Sequence, residues 1–261
     1  SAPGWQIECV DCPHQFGLMT ERSLQIDSQD RPHFAYGENH LYHAWYDGHV
    51  WQSETADGDP KVGWYASLAL DSADRPHISY YDLANRRLKY AYWDGSTWTV
   101  EVVDSDGDVF TATSLALDAQ GYPHISYHDV TNGDLKYAYR DTTGWHVQTV
   151  DSEGSTGTST SLDVDNLGWP HIAYRFERTT PDNPPAVKYA YLDSMGWHFQ
   201  IIDESDSLSP HLSLAVDSTG RAHVSYGRDD TIVYAIWTGK RWDAQTFAGN
   251  DWYPLSLALD G

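Results

Sequence analysis

Cysteine is almost missing from this chain: Cys9 and Cys12 are its only two in 261 residues. So few exclude a disulfide-stapled scaffold and say little about redox compartment. Methionine is equally scarce, and no stretch approaches the ~20 consecutive apolar residues that a membrane-spanning helix requires. Cationic side chains are few as well, 16 Lys and Arg against 38 Asp and Glu, for a formal charge of −22 at pH 7. Such an acidic surface repels phosphate backbones and anionic lipids, which excludes nucleic acid and membrane insertion as partners. With no apolar leader before Ser1 and with abundant Asp, Ser, Thr and Gly, the chain reads as a mature secreted product, extracellular or periplasmic.

What the chain has is aromatic rings and a repeat. It carries 12 Trp and 18 Tyr, so the core is built more from rings than from aliphatic side chains. Six times a short apolar strand runs into an aspartate, at 23–27, 67–71, 114–118, 161–165, 213–217 and 256–260. Six times a tryptophan opens another strand, at Trp5, Trp51, Trp98, Trp145, Trp197 and Trp242. Successive aspartates lie 44, 47, 47, 52 and 43 residues apart, a period of propeller blades and too long for leucine-rich or ankyrin units.

One unit, 67–104, serves as the template. Residues 67–71 alternate apolar and polar positions as strand one, and 71–76 form a turn of residues that bond their own backbone or preset φ. Strands two, three and four follow at 77–82, 88–93 and 98–103, with Asp94-Gly95-Ser96-Thr97 as a tight hairpin. Short connections make the four strands an antiparallel meander. A lone sheet of this kind has two apolar faces and open edges, and radial packing of like sheets covers both. The expectation is an all-β chain, one β-propeller domain over 1–261 with six blades of four-stranded antiparallel meanders. Five blades fall near 22–57, 66–104, 113–151, 160–203 and 212–247. The sixth is formed from both termini, 4–11 and 255–261, and is incomplete, because strands two and three occur only five times. Three explanations stand: the natural chain continues past Gly261, the blade is open or is completed by another molecule through self-association, or the ring has five blades and two stray strands.

The hairpin Trp93-Asp94-Gly95-Ser96-Thr97-Trp98 resembles the Asp-box of sialidases and related bacterial propellers, Ser-x-Asp-x-Gly-x-Thr-Trp. Looser copies occur at Asp47-Gly48, Asp141 to Gly144 and Asp193 to Gly196. The turn Asp118-Ala119-Gln120-Gly121-Tyr122-Pro123-His124 resembles that of secreted bacterial propellers more widely. The resemblance implies the fold, and places the Asp-box hairpins opposite the binding face.

Several motifs invite chemistry. His33, His77, His124, His171 and His223 recur one per blade, too far apart around a ring to converge on one ion, and are read as structural, as in WD-repeat propellers. Cys9 and Cys12 are read as a local disulfide, with free thiols as the alternative. Asp104, Asp106 and Asp108 alternate as hard oxygen ligands would for calcium, although the EF-hand glutamate is missing and a solvated acidic turn is the plainer reading, so no cofactor is expected unless calcium binds here.

The blades differ most after the strand-two tyrosine, where the residue runs Gly37, Tyr81, His128, Arg175 and Gly227, followed in places by Asp82, Asp129 or Arg228. The same face carries the 176–185 insertion with Arg178. Its strand-four to strand-one loops add Trp64, Tyr65, Phe110, Trp252 and Tyr253. Rings beside Asp, Asn and Arg suit sugar recognition or a protein hot spot, unless they pack beneath their own loops. The function expected is a non-catalytic binding module for a glycan or an extracellular protein. The alternative is a sialidase-like glycoside hydrolase using Arg87, Arg175 or Arg178, and Arg228 with Tyr81 and Glu177. Against it, the Phe/Tyr-Arg-Ile-Pro motif is absent.

Overall fold

Alternating apolar positions punctuated by Asp, Gly and Pro fold into twenty strands. A computed structural model describes residues 8–12, 14, 16, 19, 20, 22–109, 113–177, 184–249 and 255–259. The first sheet is β1 (Leu24–Ile26), β2 (Pro32–Gly37), β3 (Leu41–Tyr46) and β4 (Trp51–Asp57). The second is β5 (Val62–Leu70), β6 (Pro76–Asp82), β7 (Arg87–Trp93) and β8 (Trp98–Asp104). The third is β9 (Ser114–Leu117), β10 (Pro123–Asp129), β11 (Asp134–Asp141) and β12 (Gly144–Asp151). The fourth is β13 (Ser155–Val164), β14 (Pro170–Glu177), β15 (Ala186–Asp193) and β16 (Gly196–Glu204). The fifth is β17 (Leu208–Val216), β18 (Ala222–Arg228), β19 (Thr231–Trp237) and β20 (Trp242–Ala248). Every sheet is an antiparallel meander in chain order.

First strands lie side by side, β1 by β5, β5 by β9, β9 by β13 and β13 by β17. One serine per blade fixes the step. The Oγ atoms of Ser67, Ser114 and Ser161 accept from the amides of Leu115, Leu162 and Leu214 in the following blade, at 3.0, 2.9 and 3.0 Å. Arg22 reaches between non-neighbouring blades, its Nη2 donating to Leu214 O at 2.8 Å and Ser161 Oγ at 3.3 Å. Hydrogen bonds from a charged donor contribute about 1.5–3 kcal/mol each. Arg22→Ala is therefore expected to lower stability by about 2 kcal/mol, read as a fall in the urea midpoint at unchanged slope.

A second device locks the outer strands. The aspartate that ends strand four of one blade accepts from the strand-two tyrosine of the next: Tyr80 to Asp57 at 2.5 Å, Tyr127 to Asp104 at 2.5 Å, Tyr174 to Asp151 at 2.7 Å and Tyr226 to Asp203 at 2.8 Å. A strand-three lysine joins it, Lys89 on Asp57, Lys136 on Asp104 at 2.8 Å and Lys188 on Asp151 at 3.2 Å. In the fifth blade Arg228 takes the lysine's part on Asp203, at 2.6 Å. The geometry depends on a bulge. In the first four blades the strand-three to strand-four register slips by one residue just before the aspartate, which re-aims it toward the next blade. Apolar cores sit between adjacent sheets, as where Ala35, Leu41, Val62, Leu68 and Tyr80 pack together.

The repeated histidines are structural. Nδ1 of His77, His124 and His171 meets the hydroxyl of Tyr90, Tyr137 and Tyr189, and His223 meets Tyr234 at 2.6 Å. His33 instead meets Nε2 of His43 at 3.0 Å.

Five sheets form among the described residues, where six blades were expected. Both flanks nonetheless carry ring contacts: Leu257 N donates to Ser213 Oγ at 3.1 Å, and the Tyr36 hydroxyl donates to Asp11. Residues 4–7, Asp260 and Gly261 lie outside the described residues. Blade boundaries also shift. Strand one of the second, fourth and fifth sheets starts near 62, 155 and 208, because bulges carry the chain on past the expected start. Gly63 permits the first of these. Its φ is +97°, and a Cβ there would stand 2.9 Å from His40 O.

Candidate functional site

The burial of four predicted contact residues corrects their assignment. Tyr81 is 1% exposed and its hydroxyl donates to Asp108 Oδ1 at 2.8 Å. Asp82, fully buried, accepts from Asn85 N and Nδ2 and from Arg87 Nε, at 3.1, 2.9 and 2.8 Å. His128 gives its Nδ1 to Thr156 O at 2.6 Å. Asp129 holds the Thr131 amide at 3.0 Å and Asn132 Nδ2 at 2.8 Å. All four belong to the framework, since stacking covers the sheet faces out to the strand ends.

Among the described residues each of these arginines is held by a partner of its own. Arg87 is held by Asp82, Arg175 donates to Leu208 O at 2.7 Å beside Glu177, and Arg228 pairs with Asp203. These lie in the second, fourth and fifth blades. Arg178, Phe110, Trp252 and Tyr253 lie outside the described residues. The acidic triplet also disperses. Asp104 is taken by Lys136, Tyr127 and the Asp106 amide, whereas Asp108 faces Tyr81 and, at 3.6 Å, Arg86. No cluster of three metal-ligating side chains occurs among the described residues, so the calcium expectation finds no site there. Cys9 and Cys12 are joined as a disulfide.

Trp64 and Tyr65, expected in a loop, lie in bulged β5, with φ at Tyr65 of +54°. Both are half-buried against the Tyr81, Leu88 and Val109 cluster, and burial raises the Tyr65 phenol above its usual pKa. Trp64 borders a cavity of about 510 Å³ between the first two blades, with His14, Glu38, Asn39, Tyr42, Lys61 and Leu83. The indole is oriented by a bond from Nε1 to Glu38 O at 2.9 Å. Across from it, the His14 ring stacks on Tyr42 with centroids 4.0 Å apart. Burial, together with the charge of Asp11, raises the Tyr42 phenol. The rim is set by main chain: Lys61 N donates to Asn39 O at 2.7 Å and Leu83 N to Lys61 O at 3.0 Å. Lys61 holds φ of +60° and leaves its ammonium exposed. Chemically this is a ring-lined recess with an acid, an amide and an ammonium at its edge. Sequence reasoning found Trp64 but missed Glu38, Asn39 and Lys61, although Glu38 occupies the first-blade position of Asp82 and Asp129.

Sheets stacked radially about their first strands define the β-propeller class of fold. Within that class the chain is similar to an ulvan lyase, a polysaccharide lyase, at 16% identity over 87% of this chain and 70% of that one, TM-score 0.58. It is similar also to a triple arginine-to-alanine mutant of AofleA from Arthrobotrys oligospora, at 13% identity over 88% and 75%, TM-score 0.58. A prolyl endopeptidase matches at 12% identity over 87% of this chain and 35% of that one, TM-score 0.54. No family model and no curated protein matches the sequence. One fold thus spans several chemistries, and the site must carry the functional argument.

Proposed function

We propose that the protein is a non-catalytic binding module that recognises carbohydrate on the face bearing Trp64. The observation that carries this reading is the half-buried, oriented indole bordering a recess of about 510 Å³ beside the His14–Tyr42 stack, with Glu38, Asn39 and Lys61 at the rim. Aromatic planes suit the apolar faces of pyranoses, and the polar rim suits hydroxyls. Extracellular placement and a ring with six blade positions belong to the same proposal, the latter supported by the contacts of Asp11 and Leu257. A glycoside hydrolase or lyase needs a base or nucleophile beside its substrate. Here the strand-two phenols of Tyr80, Tyr127 and Tyr174 donate to aspartates of the preceding blade and are pushed above their usual pKa by burial and by those carboxylates. Because similar propellers include polysaccharide lyases, the test measures turnover as well as binding.

On a glycan array, binding is expected, with no release of reducing ends or unsaturated products from the polysaccharides bound. Trp64→Ala is expected to weaken binding at least tenfold. It costs about 1–2 kcal/mol in stability, since the indole also packs on a buried cluster. Lys61→Ala should lose affinity with no such cost. Turnover, or binding untouched by both variants, rejects the reading.

A further inference from the structure

We infer that the opposite face, where the Asp-box-like hairpins emerge, carries a second glycan site: a groove across the first three blades whose centre is Arg75 and Trp93. Two cavities open there between neighbouring blades. One, of about 440 Å³ between the first and second, is lined by Arg31, His33, His43, Trp45 and Glu54 and by Arg75 and Trp93. The other, of about 270 Å³ between the second and third, is lined by His77, Tyr92, Tyr122 and Arg140 and again by Arg75 and Trp93. The two cavities lie side by side and share Arg75 and Trp93 as lining residues.

The cavities are built from equivalent positions of successive blades. Arg31 corresponds to Arg75, His33 to His77, Trp45 to Tyr92 and Trp93 to Arg140, each pair 44 or 47 residues apart. A lining that recurs along a groove matches a ligand that itself repeats, which is the character of an oligosaccharide. Rings at Trp45, Trp93, Tyr92 and Tyr122 offer stacking planes, and fixed ion pairs offer donors and acceptors to hydroxyls. Arg75 is held on Asp71 at 2.6 Å, Arg31 on Asp27 at 2.6 Å and Arg140 on Glu101 at 3.1 Å.

Those same pairs select the charge of the ligand. Each guanidinium is already neutralised, Asp74 and Asp94 line the cavities too, and the whole chain carries −22. A sulfated or uronate polymer would meet net repulsion, whereas a neutral one does not.

The first junction also departs from the framework pattern in a way that leaves polar atoms open. Trp145 Nε1 donates to Glu101 at 2.7 Å and Trp242 Nε1 to Gln200 at 2.8 Å. The matching Glu54 turns instead to His43 Nδ1 at 3.2 Å, so Trp98 Nε1 is buried without a hydrogen-bond partner. His33, which lines the larger cavity and is 6% exposed, has only a long contact at Nε2, 3.5 Å from Asp27 Oδ2. Trp98 lies behind the cavity wall, whereas His33 lines the cavity, and its long contact with Asp27 leaves room for a ligand hydroxyl or water to complete the network there.

The test uses the full chain carrying Trp64→Ala, which silences the first recess. Neutral hexasaccharides of β-linked glucose, mannose, galactose and N-acetylglucosamine, and the matching disaccharides, are titrated by tryptophan fluorescence. At least one hexasaccharide is expected to bind, at least tenfold more tightly than its disaccharide, with hydrogen-exchange protection at 71–76 and 93–97. Adding Trp93→Ala or Arg75→Ala should remove at least tenfold of that affinity, and Trp93→Phe should restore most of it. Arg75 is exposed, so its variant folds and keeps the test decisive. The inference is overturned if none of the hexasaccharides binds, or if binding ignores both substitutions. Binding in the wild-type chain that vanishes with Trp64→Ala alone overturns this groove while leaving the first recess intact.

Discussion

Asp57→Ala is expected to lower stability by about 3 kcal/mol and the melting temperature by roughly 10 °C. Lys89 is only 2% exposed and lies between Asp57 and, at 2.9 Å, Asp59, while the Tyr80 hydroxyl donates to the same Asp57. Burial alone would raise the Asp57 pKa, but bonds from Lys89 and Tyr80 outweigh it and hold the carboxyl below its usual range. Removing the carboxylate strands a buried ammonium and a buried phenol together, which is the costly way to break such a pair. Asp59 keeps the loss at the lower end of the 3–5 kcal/mol range typical of buried pairs.

The other blades grade the effect. Asp104→Ala should match it, since Lys136 keeps only long contacts, to Asp106 O at 3.4 Å and to Asp129 at 3.7 Å. Asp203→Ala should cost less, about 2 kcal/mol, because Arg228 is a third exposed and can turn to water, which leaves only the Tyr226 hydroxyl stranded. The double substitution Asp57→Ala with Lys89→Met should recover most of the loss. Equal costs at Asp57 and Asp203, or no recovery in the double variant, would show that the latch is not what holds neighbouring blades.

The same latch explains where the sequence misleads. Period and alternation locate the sheets because a strand's local pattern is set by its own residues. Asp104, Asp106 and Asp108 look like a cation site because nothing nearby in sequence neutralises them. Their real partners come from elsewhere, Lys136 and Tyr127 from the following blade. Tyr81 and His128 were placed on the surface by position after a repeated tyrosine, yet radial stacking buries both sheet faces and leaves no outward side at that depth. Trp64 was legible as a ring at a variable point. Its bulged strand and its neighbours Glu38 and Lys61 were not, since they depend on left-handed backbone at Gly63 and Lys61 and on contacts across a blade boundary.

Acidification from pH 7 to pH 4 is expected to remove several kcal/mol of stability before the carboxylates of the latch titrate. Burial pushes the His77 imidazole down to about 4, against the opposing charge of Asp71, and burial likewise lowers His33, His124 and His171. The cause is visible in the packing: His77 is 8% exposed, with its Nδ1 against the Tyr90 hydroxyl and Arg75 nearby. Well above pH 6.5 these four histidines are neutral in both states and contribute no dependence of stability on pH. As pH falls from 6.5 toward 4, the unfolded chain takes up protons that the folded chain refuses, so the equilibrium moves to the unfolded side. For His77 alone the shift from 6.5 to about 4 amounts to roughly 3 kcal/mol. Three further histidines act in the same direction, against a total stability of about 5–15 kcal/mol for a typical domain. Below pH 3.8 a second decline begins, as carboxylates held low in the folded state, Asp27 at about 2 among them, are protonated first in the unfolded chain. Urea unfolding at half-unit pH steps should give a midpoint that is flat above pH 7 and falls steadily below 6.5. His77→Gln should lower stability at pH 7 yet reduce the proton uptake on unfolding at pH 5 by roughly one. A midpoint constant from pH 7 to 5, or a slope unchanged by His77→Gln, would mean that these imidazoles are open to protonation in the folded ring.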